Sequence, residues 1–204
     1  MIAIINYGLG NINAFANVYK NLNIPVTIAS VPDQLIEADH LILPGVGSFD
    51  YAMQRLNNSG MRETLDNLVL NKYIPILGIC VGMQMLAKTS EEGKLPGLAW
   101  IDASVKHFDT ATFNPPAYIP HMGWNDITPV GKSNLLTNLE QDSIFYFLHS
   151  YYFNCNRVED TIATTQYGIQ FSSIVGFNNI FGVQCHPEKS HQWGIQLLKN
   201  FALL

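Results

Sequence analysis

Ile74-Pro75-Ile76-Leu77-Gly78-Ile79-Cys80-Val81-Gly82-Met83-Gln84 is an aliphatic run that stops at a cysteine set between two glycines. Residues 74 to 79 have the composition of a buried strand, and the run from Met83 to Lys88 is compatible with a helix. Gly78-Ile79-Cys80-Val81-Gly82 therefore has the form of a nucleophile elbow, with cysteine where many hydrolases carry serine. The flanking glycines have a mechanical reason. A nucleophile on a tight strand-to-helix turn adopts strained dihedrals, and neighbours without a Cβ let adjacent backbone pass close to it. A helix starting after Cys80 would offer unpaired N–H groups and a positive dipole end, which favour a thiolate and an oxyanion.

The same alternation extends towards the N-terminus. Met1 to Asn6 reads as a first strand, and Asn11 to Leu22 puts Ile12, Phe15, Ala16, Tyr19 and Leu22 on one helical face. Val26 to Ala29 and Leu41 to Leu43 are further strands, with helices expected over Phe49 to Leu56 and Met61 to Leu70. Strands alternating with helices imply a parallel sheet with crossover connections. Leu41 to Leu43 ends at Pro44-Gly45-Val46-Gly47, which in such a sheet lies at the same carboxyl edge as Cys80. Main-chain N–H groups there could join that of Val81 around a substrate carbonyl oxygen.

Beyond residue 100 the pattern changes. Trp100 to Phe108, Ile144 to Phe153, Thr161 to Thr165, Ile169 to Ile174 and Ile180 to Cys185 are β-branched and aromatic, separated by short polar turns. An antiparallel β region is expected here, closed by a helix over Gln192 to Leu204. Thr110 to Pro120, with Pro115-Pro116, reads as a surface loop. The expected fold is α/β: a single three-layer domain over residues 1–204, with a mostly parallel central sheet and an added antiparallel region.

Composition narrows the function. Of 204 residues 48% are hydrophobic and only 13% charged, about half the roughly 25% usual in soluble domains, so surface reserved for a partner is expected. Eleven Lys and Arg against sixteen Asp and Glu give a net charge of -5, without the basic cluster that nucleic acid requires. No run of 18 apolar residues could span a membrane, and the N-terminus lacks a charged leader and cleavage site. The cysteines Cys80, Cys155 and Cys185 are odd in number and show no C-x-x-C pair, which fits a reducing, cytoplasmic setting without disulfides or structural zinc.

A cysteine nucleophile needs a base, and the base needs an orienting acceptor. Gly182-Val183-Gln184-Cys185-His186-Pro187-Glu188 supplies both: in an extended chain His186 and Glu188 project to one side, and Pro187 disfavours helix at His186. Cys185 then faces away and packs in the interior. Taken singly, Cys80 also reads as a small packed thiol, His186 as a turn residue and Pro44-Gly-Val-Gly47 as a plain turn. Their joint occurrence points to acyl transfer.

Together with Gln84, Asn6-Tyr-Gly-Leu-Gly-Asn11, Pro120-His-Met-Gly-Trp-Asn125, His149-Ser-Tyr-Tyr152 and His186-Pro-Glu-Lys-Ser190, these motifs resemble the class I (triad) glutamine amidotransferases, from residue 2 to about 201. The branch they are most similar to is that of the imidazole glycerol phosphate synthase glutaminase subunits. The resemblance implies that Cys80 attacks glutamine, His186 acts as base and then acid, and Glu188 orients His186. It implies oxyanion donors at Val46 and Val81, and a glutamine site formed by Gly47, Gln84, Glu92, Ser150 and Tyr151. Gln84, one helical turn beyond Cys80, is spaced to reach the same crevice. No cofactor or metal is implied. The ammonia would pass to a (β/α)₈-barrel cyclase making imidazole glycerol phosphate and an aminoimidazole carboxamide ribotide, with Asn11, His121, Met122, Trp124, Asn125, Tyr146 and Lys189 at the contact surface. Ile12-Asn13-Ala14, Gly97-Leu-Ala-Trp-Ile101 and Ser190-His-Gln-Trp-Gly194 look closer to paralogues that feed a sugar-amidating synthase in surface-polysaccharide assembly, so the acceptor stays open. A non-catalytic interaction subunit of the same fold, or a Cys-dependent hydrolase of small amides or esters, is the alternative of another class.

Overall fold

A computed structural model describes residues 1–114, 116–139 and 143–204; Pro115, within the expected loop, lies outside them. The first half runs β1 (Ile2–Ile5), α1 (Ile12–Asn21), β2 (Val26–Ala29), β3 (His40–Gly45), α2 (Phe49–Asn58), α3 (Arg62–Asp66), β4 (Ile76–Cys80) and α4 (Val81–Gln84). The second half contains β5 (Thr89–Ser90), β6 (Ala103–His107), β7 (His121–Asp126), β8 (Thr128–Pro129), β9 (Ile144–His149), β10 (Tyr151–Cys155), β11 (Thr161–Tyr167), β12 (Ile169–Phe177), β13 (Ile180–Val183) and α5 (His191–Phe201).

The main sheet has the order β2-β1-β3-β4-β13-β12-β10-β6-β5. Its first five strands are parallel. β1 and β4 are buried throughout, which is why both read as unbroken aliphatic runs rather than alternating ones. Antiparallel β12, with β10 and β11 beside it, extends the sheet. On α1, Phe15, Ala16 and Tyr19 face the core, and the Tyr19 hydroxyl donates to the Leu198 carbonyl of α5 at 3.2 Å. No helix among the described residues is long and apolar enough to cross a membrane.

Three elements differ from the sequence-based expectation. Ile144 to Phe153 is not one strand: β9 leaves to form a separate two-stranded ribbon with β7, while β10 joins the main sheet. Phe145, Phe147, His149 and Phe153 are all buried, so the odd-numbered inward positions stay in phase across the break at Ser150 and period-two counting passes over it. β7 itself, His-Met-Gly-Trp-Asn-Asp, lacks β-branched residues and takes its conformation from pairing with β9. The helix after Cys80 is one turn long. The carbonyls of Met85, Leu86, Ala87 and Lys88 accept from residues 97–101 instead of continuing it. The helix expected over Met61 to Leu70 is present, but its second half widens into a π-helical turn at Asn67–Asn71.

Backbone contact between β3 and α4 positions the cysteine. Gly45 pairs with Cys80 across the sheet, and a Cβ on Gly82 would fall 1.9 Å from the Leu43 carbonyl oxygen. Alanine at position 82 must push the elbow off β3, so Gly82→Ala is expected to cost about 3 kcal/mol. Thermal denaturation should show a melting temperature lower by about 10 °C.

Candidate active site

Cys80 ends β4 with φ 55° and ψ −114°, a conformation that L-residues avoid, and its side chain is buried at the carboxyl edge of the parallel strands. The elbow expected from the flanking glycines is present. The dipole of a long helix is not, since α4 is a single turn, and the Cys80 side chain makes no capping hydrogen bond to its first N–H groups.

β13 lies next to β4, with Val183 opposite Ile79, and so delivers the following loop to the same edge. His186 is extended (φ −103°, ψ 91°), but Pro187–Lys189 forms a 3₁₀ turn. The period-two projection expected for His186 and Glu188 is therefore replaced by a turn that folds the carboxylate back onto the ring. Nδ1 of His186 donates to Glu188 Oε1 at 3.0 Å. Both side chains are buried, at 6% and 3% exposure. Glu188 Oε2 has no hydrogen-bond partner among the described residues.

This loop is held from several sides. The His186 N–H donates to the Tyr146 carbonyl at 2.8 Å. The Ser190 hydroxyl donates to the His186 carbonyl at 2.6 Å and accepts from the Tyr146 N–H at 3.0 Å. A Cβ on Gly194 of α5 would lie 1.8 Å from the Pro187 carbonyl oxygen, so glycine lets the helix seat directly under the turn.

Burial is the largest influence on His186 and pushes its proton affinity down. Hydrogen bonding and charge from Cys80 and Glu188 together outweigh it and raise the pKa to about 10. A ring that binds a proton this firmly beside a thiol is a competent acceptor for the thiol proton. Cys185, expected to point away, is fully buried, and desolvation pushes its thiol well above the ordinary value.

Cys80 and His186 open onto a cavity of about 340 Å³ that is also lined by Val46, Gly47, Val81, Gln84, Glu92, Ser150 and Tyr151. Every residue expected to bind glutamine or an oxyanion borders this space. Burial raises the Glu92 pKa, opposed by the Phe49 N–H that donates to its Oε2 at 2.8 Å. Sequence reasoning assigned no role to four further residues here: Pro120, Leu148 and His149 line the cavity, and Gln184 reaches the sulfur with its Nε2 3.8 Å from Cys80 Sγ. Gln184 and His149 both sit inside quoted motifs, and that adjacency was the only available signal.

The residues expected at a partner surface divide. Met122 (64% exposed) and Trp124 (45%) stand on the outer face of the β7–β9 ribbon, with Ile144, Tyr146 and Leu148 on the same face. Asn11 and Lys189 are exposed, and Lys189 Nζ lies 5.5 Å from the centre of the Tyr146 ring. His121 is not at the surface. It is 2% exposed, with its ring stacked between Phe147 and Tyr167, because odd positions of β7 face inward. Asn125 is half-buried and its amide turns towards His121.

The family model "Glutamine amidotransferase class-I" matches residues 3–204. This chain belongs to that family. Among relatives of this amidotransferase, a protein of Bdellovibrio bacteriovorus named "Imidazole glycerol phosphate synthase subunit HisH" is 54% identical, over 99% of each chain. A protein of the same name from Leptospira interrogans is 50% identical over the full length of both. The amidotransferase also shares its fold with PurLQS from Thermotoga maritima, with a TM-score of 0.73 at 14% identity, covering 98% of this chain and 96% of the other.

Because the folded ring holds its proton more firmly than the unfolded chain does, its contribution to stability is fully present below the ordinary histidine value near 6.5. That contribution is lost as pH rises through about 10. Glu188→Gln removes the carboxylate. An NMR titration of the His186 ring should then show its pKa falling from about 10 towards the ordinary range, with the high-pH loss of stability beginning earlier.

Proposed function

We propose that this chain is the glutaminase subunit of imidazole glycerol phosphate synthase, a cytoplasmic enzyme of histidine biosynthesis. The observation that carries the reading is the series thiol, imidazole, carboxylate beside one cavity, on a chain about half identical to proteins named as that subunit. Cys80 Sγ attacks the side-chain amide carbon of glutamine as His186 takes the thiol proton. The tetrahedral oxyanion is held by the N–H groups of Val46 and Val81. His186 returns the proton to the departing nitrogen, releasing ammonia and leaving a γ-glutamyl thioester on Cys80. Water, deprotonated by the same ring, cleaves the thioester to glutamate. Glu188 fixes the ring tautomer and stabilises the imidazolium. Glu92 supplies a carboxylate for the α-ammonium group of the substrate, and Gly47, Gln84, Ser150 and Tyr151 enclose the rest. No step requires a cofactor.

The ammonia released here would be consumed by a partner synthase. The apolar outer face of the β7–β9 ribbon borders the cavity through Leu148, and with Asn11 and Lys189 it forms the surface on which a (β/α)₈-barrel cyclase would seat. The relatives' names favour this partner over a sugar-amidating synthase.

In the reconstituted complex, Cys80→Ala should abolish glutamine-dependent turnover, by at least about a thousandfold, while leaving turnover with ammonium salts unchanged. Full glutamine-dependent activity in that variant would refute the mechanism. Binding of this chain to a sugar-amidating synthase, but not to the cyclase, would reassign the pathway. Isolated chain should hydrolyse glutamine slowly and gain activity on adding the cyclase, measured as glutamate release.

A further inference from the structure

Behind the cavity runs a chain of side-chain amides and imidazoles, buried except at its Asn125 end, whose hydrogen-bond directions are all determined. It starts from the Tyr151 carbonyl, which can only accept. His149 Nδ1 lies 2.8 Å from that oxygen and must carry a hydrogen. Burial holds His149 and His121 at pKa values of about 3 and 4, so both rings are neutral. His149 Nε2 is therefore a lone pair and accepts from His121 Nδ1 at 2.9 Å. His121 Nε2 in turn accepts from Asn125 Nδ2 at 3.2 Å. The second amide hydrogen of Asn125 goes to the Gln166 carbonyl at 3.0 Å, and its Oδ1 takes the Asp126 N–H at 2.9 Å. The three bonds Asn125 to His121, His121 to His149 and His149 to Tyr151 all point from β7 towards Tyr151.

A second branch leaves the same carbonyl. Gln84 Nε2 donates to Tyr151 O at 3.1 Å and to Gln184 Oε1 at 3.0 Å, which uses both of its hydrogens. Gln84 Oε1 is then the atom left to receive a donor from the cavity, such as the amide or ammonium hydrogens of an amino-acid substrate. Gln184, wholly buried, turns its own Nε2 to Cys80 Sγ at 3.8 Å. A sulfur that gives its proton to His186 gains negative charge in a nearly dry site, where a fixed N–H dipole stabilises it without reorganisation.

We propose that Gln184 and the His121–His149 pair are positioning residues. Gln184 orients and stabilises the Cys80 sulfur, while the imidazole pair, anchored to β7 by Asn125, fixes the Tyr151 carbonyl and with it the substrate-facing oxygen of Gln84. This rests on the glutaminase reading for the identity of the substrate, though not for the contact at the sulfur. The chain also ties the ribbon on which a partner would dock to the nucleophile, through neutral groups alone.

Two covalent probes separate the roles, with Cys80 loading followed by intact mass. Iodoacetamide reads the sulfur; a glutamine-like diazo ketone reads sulfur and pocket together. Gln184→Glu keeps the acceptor for Gln84 but has no hydrogen for the sulfur. It should slow alkylation by both probes about tenfold, with the half-saturating concentration of the diazo ketone within about twofold of the parent. His121→Leu/His149→Leu removes both partners of the buried contact. It should raise that half-saturating concentration about tenfold and leave iodoacetamide alkylation within about twofold. Melting temperatures of both variants are measured alongside. Parent-like alkylation in Gln184→Glu overturns the role at the sulfur, and parent-like saturation in the double variant overturns the role of the imidazole pair. Rates and saturation changing together in both variants, in step with melting temperature, would reduce the chain to a structural support. Failure of the diazo ketone to load the parent protein, with iodoacetamide still loading Cys80, would instead refute the glutaminase reading.

Discussion

The close approach of β3 to the turn after β4 is the constraint from which the site follows. Gly45, Gly78 and Gly82 meet where a Cβ on any of them would lie within 3 Å of backbone. Closing that gap holds Cys80 in a left-handed conformation that costs about 1–3 kcal/mol and that surrounding packing must offset. The fully buried strands β1 and β4, with β3 buried from Leu41 to Gly45, provide that packing. With the elbow in place, the sulfur sits at the carboxyl edge, where strand ends converge, and β13 brings His186 to the same edge because it is the next parallel strand.

Electrostatics then set the character of the centre. Burial alone would strip the proton from His186, as it does from His121 and His149. The difference is the company each ring keeps. His186 has a carboxylate on one side and a thiol on the other, and its pKa rises to about 10. His121 and His149 have no carboxylate beside them, so burial pushes theirs down, and for His149 the charge of His121 and His186 adds to the fall. One small region thus holds a histidine built to take up a proton and two built to refuse one. The first is suited to acid–base chemistry; the other two can carry hydrogen-bond direction without carrying charge.

Much of the candidate site was legible in the residues because each of its pieces is local in sequence. Gly-x-Cys-x-Gly after an aliphatic run signals an elbow, and His-Pro-Glu places base and orienter two residues apart. The route was misjudged at one point: the carboxylate reaches the ring through a 3₁₀ turn beginning at Pro187, not through strand alternation. His121 was misplaced for a related reason, since its motif carries no sign of which face of β7 looks inward. Gln184 and His149 gave no signal of their own, because the side-chain partners of Gln184 lie 100 and 104 residues distant in the chain, and those of His149 are a ring 28 residues away and whichever carbonyl faces it.

What the amino-acid sequence determined alone is the parallel nucleus and the chemistry at its edge, since buried-strand composition, helical spacing and glycine placement are all short-range properties. Tertiary structure decided the break of residues 144–155 into strands of two different sheets, the one-turn length of α4 and the inward burial of His121. Each depends on which distant backbone supplies the competing hydrogen bond: β7 for β9, β6 for β10, and residues 97–101 for the carbonyls after Gln84. A pattern with a period of two or 3.6 residues contains no information about such partners.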